Sequence, residues 1–193
     1  MADEELMQRY IKNDEAAFEV LLARYRHSLF GFLYRYLGRK DKAEDVFQDV
    51  FYEVIRARKQ YQPQAKFASW IFRIARNRAV DRLRRNGFRE MESLDVTLDP
   101  NATDGETRLD RLSSGDLNPE EMIQNKELAD VLEKILGELP PEQREVFWLK
   151  EKSGLTIAEI AEMTGVSPNT VKSRLRYALE KVRTELVVKG FEP

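Results

Sequence analysis

TIAEIAEMTGVSPNTVKSRLRYALEKVR, residues Thr156–Arg183, holds two helices and the turn between them. Thr156 and Glu159 stand at capping-box spacing ahead of Ile157, Ile160 and Ala161, so a short helix starts there. Thr164-Gly165-Val166 supplies a tight turn, because glycine takes the positive φ that sets two helices at a steep angle. Ser167 then caps a second helix with Pro168 in its first turn, and Val171, Leu175, Ala178, Leu179 and Val182 recur on its inner side. Asn169, Thr170, Lys172, Ser173, Arg174, Arg176 and Tyr177 are left outward or flanking. Small polar residues at the start of this helix suit hydrogen bonding to a phosphate, and the Lys and Arg behind them can reach base edges in a major groove. The pattern is a helix-turn-helix; its plainer alternative is a packing unit of two short helices.

The preceding residues extend the helical reading. Asn118-Pro119-Glu120-Glu121 is a start signal, with a capping side chain, a proline in the first turn and two acids at the positive end of the dipole. Ile123, Leu128, Val131, Leu132, Ile135 and Leu139 give the helix an apolar side, and Pro140-Pro141 break it. A further helix is expected over Glu142–Lys150, presenting Val146, Phe147 and Leu149 and closed by Gly154. Upstream, from Glu90 to Leu117, periodicity disappears and Asp, Glu, Ser, Thr and Gly dominate, as in a flexible acidic linker.

The N-terminal half is also helical by pattern. A leader helix near Glu4–Ile11 precedes a strong element over Asp14–Leu37, in which Phe18, Leu21, Leu22, Tyr25, Leu29, Phe32, Leu33 and Tyr36 recur at spacings of three and four. Gly38 ends it. The helix over Asp41–Arg58 buries Ala43, Val46, Phe47, Val50, Phe51, Val54 and Ile55 and exposes Glu44, Asp45, Gln48, Asp49, Tyr52 and Glu53. Three readings of that strip compete: a solvated face, an acid pair at Asp45 and Asp49 for metal-assisted hydrolysis, and a docking face for a basic partner. Hydrolysis lacks a third well-placed ligand. Tyr52 favours docking, since aromatics are enriched where proteins meet.

After a loop over Gln60–Gln64 that contains Pro63 comes FASWIFRIARNRAVDRLRR, Phe67–Arg85. Phe67, Trp70, Ile71 and Ile74 form a core stripe, which continues into Arg78, Arg82 and Arg85; Arg73, Asn77 and Arg84 form a neighbouring row. An unpaired buried guanidinium costs several kcal/mol. The first half is therefore expected to be anchored and the second to leave the body toward a polyanion. Arginine as the only basic residue type suits forked contacts to phosphate or base edges. A solvated basic helix end is the plainer alternative. Asn86 and Gly87 are expected to end this domain.

Composition bounds the function. The chain has 193 residues, 42% hydrophobic and 34% charged, with a formal net charge of -2, so any nucleic-acid affinity must be focused on particular faces. It contains no cysteine and a single histidine, His27, which excludes disulfides, thiolate metal sites and histidine clusters. No metal, cofactor or catalytic group is expected. The N-terminus lacks a signal-peptide pattern and no apolar run is long enough to cross a bilayer, so no membrane insertion and a cytoplasmic location are expected.

Taken together, AEDVFQDVFYEVIRA, FASWIFRIARNRAVDRLRR and LPPEQREVFWLKEKSGLTIAEIAEMTGVSPNTVKSRLRYALEKVR resemble, in this order, the bacterial extracytoplasmic-function sigma factors, the small two-domain class of the sigma-70 family. The resemblance covers nearly the whole chain. It implies an all-α fold of two small helical domains, region 2 over 1–89 and region 4 over 118–193, joined by a flexible acidic linker over 90–117. It implies a non-catalytic specificity subunit of core RNA polymerase that recognises promoter DNA and is held in check by an anti-sigma factor. By that resemblance Asp45, Gln48, Asp49 and Tyr52 dock on the polymerase. Gln60, Tyr61, Lys66, Phe67, Trp70, Arg73, Arg76, Asn77 and Arg84 hold the melted minus-ten strand. Thr156, Ser167, Asn169, Thr170, Lys172, Ser173, Arg174, Arg176 and Tyr177 read the minus-thirty-five duplex. The rivals are a self-sufficient transcription regulator, a nucleic-acid hydrolase and a structural helical adaptor.

Overall fold

A computed structural model describes residues 1–62, 66–85 and 119–191. Every regular element among them is helical: α1 Asp3–Ile11, α2 Glu15–Leu37, α3 Lys40–Ala57, α4 Phe67–Arg85, α5 Pro119–Gly137, α6 Pro141–Phe147, α7 Ile157–Thr164 and α8 Pro168–Val188. The chain divides into two compact units, one built from α1–α4 and one from α5–α8. The expected linker, the boundary at Asn86-Gly87 and the Asn118 cap lie outside the described residues.

In the first unit α2 is the spine. The Asp14 side chain accepts from the Ala17 amide at its start, and Gly38, at φ 70°, closes it by donating to the Tyr34 carbonyl. Leu21, Leu29, Phe32 and Leu33 are buried along it. Helix α1 packs on α2 through Leu6, Met7 and Tyr10, with the Tyr10 and Phe18 rings stacked at 4.5 Å. Helix α3 contributes Ala43, Val46, Val50, Phe51 and Val54; Ile55, expected inside, is exposed. Each large apolar side chain fully withdrawn from water here stabilises the unit by about 1.5–3 kcal/mol.

Helix α4 runs against α3 and α2 along its whole length, and this corrects the sequence expectation. Its buried stripe is Phe67, Ile71, Phe72, Ala75, Ala79 and Leu83, so the second half does not leave the body. Two of its members, Ala75 and Ala79, are fully buried yet add little hydrophobic weight to the pattern. Arg78 and Arg82 do lie on the core side, but they are not unpaired: Arg78 donates to Glu53 at 2.5 Å and Arg82 to Asp45 at 2.7 Å, both on α3.

In the second unit α8 is the spine, packed against α5, α6 and α7. Ile135, Leu136, Leu139, Val146, Phe147, Leu149, Ile160, Val171, Ala178 and Val182 are buried. Arg144 caps the end of α5, donating to the carbonyls of Gly137 at 2.5 Å and Leu139 at 2.9 Å. The helix expected over Glu142–Lys150 is α6 followed by a π-helical turn, Trp148–Lys152. Leu179, expected inward, is 43% exposed.

Candidate nucleic-acid interface

Thr156 accepts from the Glu159 amide while Glu159 reaches back to the Thr156 amide at 2.7 Å, the reciprocal capping box read from the sequence. The Thr156 hydroxyl also donates to the same Glu159 carboxylate at 2.7 Å. Gly165, at φ 72°, turns the chain, and Ser167 accepts from the Thr170 amide to start α8. The Ser167 and Thr170 hydroxyls lie 2.9 Å apart. Three of the nine residues expected at duplex DNA, Thr156, Ser167 and Thr170, thus use their hydroxyls to shape the motif. Asn169, Lys172, Ser173, Arg176 and Tyr177 are exposed and Arg174 is half-buried. The Arg176 guanidinium lies over the Tyr177 ring, 4.9 Å from its centroid, a flat polar and aromatic surface at the outside of the helix.

On α4 the side opposite the core stripe carries Trp70, Arg73, Asn77 and Arg84, spaced by three, four and seven residues and so aligned on one face. Asn77 and Arg84 are exposed; Trp70, Arg73 and the flanking Arg76 are half-buried. Gln60, at the end of the 3-10 turn Arg58–Gln60, and Lys66, just ahead of α4, are exposed. Tyr61 and Phe67 are placed differently from the rest of this set, since both are in the core at 4% and 1% exposure. Their rings lie 6.1 Å apart, and Tyr61 also packs 5.2 Å from Trp70. Burial, reinforced by the carboxylates of Glu4 and Asp3, pushes the Tyr61 hydroxyl up to about 12, so it stays protonated at neutral pH. These two residues shape the floor under the exposed face.

Helix α3 presents Glu44, Asp45, Gln48, Asp49 and Tyr52 outward. Tyr52 is 72% exposed, so the strip carries an aromatic ring in water among its acids. Asp45 keeps 61% of its side chain exposed although paired with Arg82. One of the two acids considered for hydrolysis is thus paired with an arginine of α4. These α3–α4 pairs join residues 37 and 25 positions apart and leave no local signal in the sequence.

The Sigma-70 region 2 family matches residues 21–89, and the Sigma-70 region 4 family matches residues 129–182. Over 181 residues the chain is 30% identical to the RNA polymerase sigma-H factor of Pseudomonas aeruginosa, covering 93% of this chain and 91% of the relative. The chain belongs to the sigma-70 family. Within it the sigma factor falls in the extracytoplasmic-function class: it is 30% identical to the ECF RNA polymerase sigma-E factor of Escherichia coli K12, covering 94% and 93% of the two chains. It is 29% identical to the ECF sigma factor SigW of Bacillus subtilis, covering 91% of each. Among solved structures it resembles RpoE of Bartonella quintana, determined with the anti-sigma factor NepR, at a TM-score of 0.64 and 24% identity over 89% of this chain and 97% of that one. It also resembles CnrH, determined with the cytosolic domain of CnrY, at a TM-score of 0.61 and 24% identity over 97% and 99%. These two likenesses establish a shared fold. Helices α2–α4 of the sigma factor lie in or overlap the region 2 match, α7 and most of α8 lie in the region 4 match, and α1 precedes both. No helix among the described residues is long and apolar enough to cross a membrane.

Proposed function

We propose that this sigma factor is the dissociable specificity subunit of RNA polymerase, in which the region 2 unit docks on the core enzyme and captures the melted minus-ten strand while the region 4 unit reads the minus-thirty-five duplex. Residues 1–89 and 118–193 are the two working domains, and 90–117 is the acidic tether. Asp45, Gln48, Asp49 and Tyr52 form the docking strip. Trp70, Arg73, Arg76, Asn77 and Arg84, flanked by Gln60 and Lys66, hold the single strand, and Tyr61 and Phe67 support them from below. Asn169, Lys172, Ser173, Arg174, Arg176 and Tyr177 face the duplex, and the capping hydroxyls of Thr156, Ser167 and Thr170 aim them.

The observation that carries this reading is the division of arginines on α4. Those on the core side, Arg78 and Arg82, pair with α3 acids, and the opposite face brings guanidinium, amide and indole groups together. Such a face suits unstacked bases and phosphates better than a duplex groove. Extruding a base costs a few kcal/mol, so a protein that binds the extruded form shifts the equilibrium toward open DNA without chemistry of its own. The sigma factor is then non-catalytic and acts in the cytoplasm. An anti-sigma partner controls it by covering the strip or the strand-binding face.

The test is passage of the purified chain over immobilised core RNA polymerase, followed by transcription from genomic DNA and mapping of the 5′ ends. Stable retention and initiation at a small set of promoters is expected, with Tyr52→Ala weakening retention by about tenfold. Failure to bind core, with tight duplex binding by the chain alone, favours the self-sufficient regulator instead.

A further inference from the structure

The capping position of helix α4 is a lysine. The Lys66 carbonyl accepts from the Trp70 amide at 3.1 Å, which makes Lys66 the capping position, and a lysine side chain has no acceptor to offer the free amides of the first turn. The acceptor comes from the other end of the unit: the Phe67 amide donates to Glu4 Oε1 at 3.1 Å, across 63 positions of sequence. Glu4 sits on α1, which lies before the region 2 match and is nevertheless firmly seated. Leu6, Met7 and Tyr10 are buried, and Asp3 accepts from Arg24 at 2.5 Å and from the Tyr25 hydroxyl at 2.5 Å. The Tyr25 ring meets the edge of Phe67 at 5.2 Å, and Phe67 in turn packs 5.9 Å from Trp70.

We infer that Glu4 is a positioning residue for capture of the minus-ten strand: by capping α4 it sets the first turn of that helix, and with it the placement of Trp70 and of the Arg73–Asn77 row. The inference deepens the proposed function and rests on its assignment of that face. Two properties fit the role. The hydrogen bond that Glu4 makes to α4 is to a backbone amide, so it bears directly on where the helix starts. A carboxylate also suits this position electrostatically, since the helix N-terminus carries partial positive charge.

The experiment compares Glu4→Ala and Glu4→Gln with the unsubstituted protein in two arms. In the first, amide hydrogen exchange is measured on the full chain: Phe67 exchanges about tenfold faster in E4A, as loss of a capping bond predicts, and E4Q, which keeps an acceptor oxygen, stays within about threefold. In the second, holoenzyme binds a fluorescent single strand carrying the minus-ten sequence of a mapped promoter. E4A binds it about tenfold more weakly, E4Q recovers most of that loss, and retention on core is unchanged in both. Unchanged exchange at Phe67, unchanged strand binding by E4A, or a parallel loss of core retention overturns the inference. If the unsubstituted holoenzyme itself ignores the single strand, the assignment of the α4 face falls and the inference falls with it, while the exchange arm still reports separately whether Glu4 caps the helix.

Discussion

Glu53 and Asp45 both accept from arginines of α4, but their surroundings set different values. Glu53 has 23% of its side chain exposed and Arg78 36%, whereas Asp45 has 61% exposed opposite Arg82. Water screens the second pair more strongly, so a double-mutant cycle in urea unfolding is expected to give a coupling of about 1 kcal/mol for Glu53–Arg78 and under about 0.5 kcal/mol for Asp45–Arg82. Equal couplings would mean that burial does not separate them. Asp14 answers to pH. The Arg9 guanidinium bonded to it, with help from the Ala17 amide, holds its carboxyl below the ordinary value of 3.8. Because the folded chain binds this proton less readily than the unfolded one, the contribution is present above the unfolded value and lost as pH falls through the folded one. Asp14→Asn is therefore expected to flatten the acid side of the stability curve below about pH 4, measured as urea midpoints against pH. A curve unchanged by the substitution would contradict the assignment.

At the scale of the helix, α4 carries the most instructive contrast. If its second half stood away from the body, Ala79 would tolerate a larger side chain; packed as it is, with no exposure, Ala79→Leu is expected to cost about 1–3 kcal/mol in thermal or urea unfolding. A neutral outcome would restore the detached helix. The packing of this helix is hidden in the sequence for a physical reason. Periodicity weighs side chains by hydrophobicity, and Ala75 and Ala79 hardly register, so the apparent stripe runs from Ile74 into Arg78 and Arg82. Pairing with acids from another helix, and a cap supplied from 63 residues away, leave no local trace. Signals that act within one turn were legible: the Thr156–Glu159 box, the Ser167 cap, and the glycines at Gly38 and Gly165 all stand where spacing put them. The order of helices, their all-α character and the outward strips on α3 and α8 were legible for the same reason. Whether an expected contact such as Tyr61 or Phe67 lies on the surface or beneath it depends on the third dimension.

For the molecule as a whole, a net charge of -2 is reconciled with DNA binding by gathering cationic groups on two helix faces. The α4 face pairs guanidinium with indole and amide, and we propose it for the single strand; the α8 face presents Lys and Arg behind a capped N-terminus, and we propose it for the groove. The central claim is that these faces divide the work, and one measurement tests it most directly. Holoenzymes carrying Asn77→Ala or the pair Arg174→Ala and Arg176→Ala are compared on one promoter by gel shift and by permanganate reactivity of the minus-ten thymines. Asn77→Ala is expected to leave closed-complex affinity within about twofold while strongly reducing thymine reactivity. The double arginine variant is expected to weaken duplex binding by ~1–3 kcal/mol per lost base contact, with reactivity restored once the promoter is saturated. Identical defects from both variants in both assays would contradict the account.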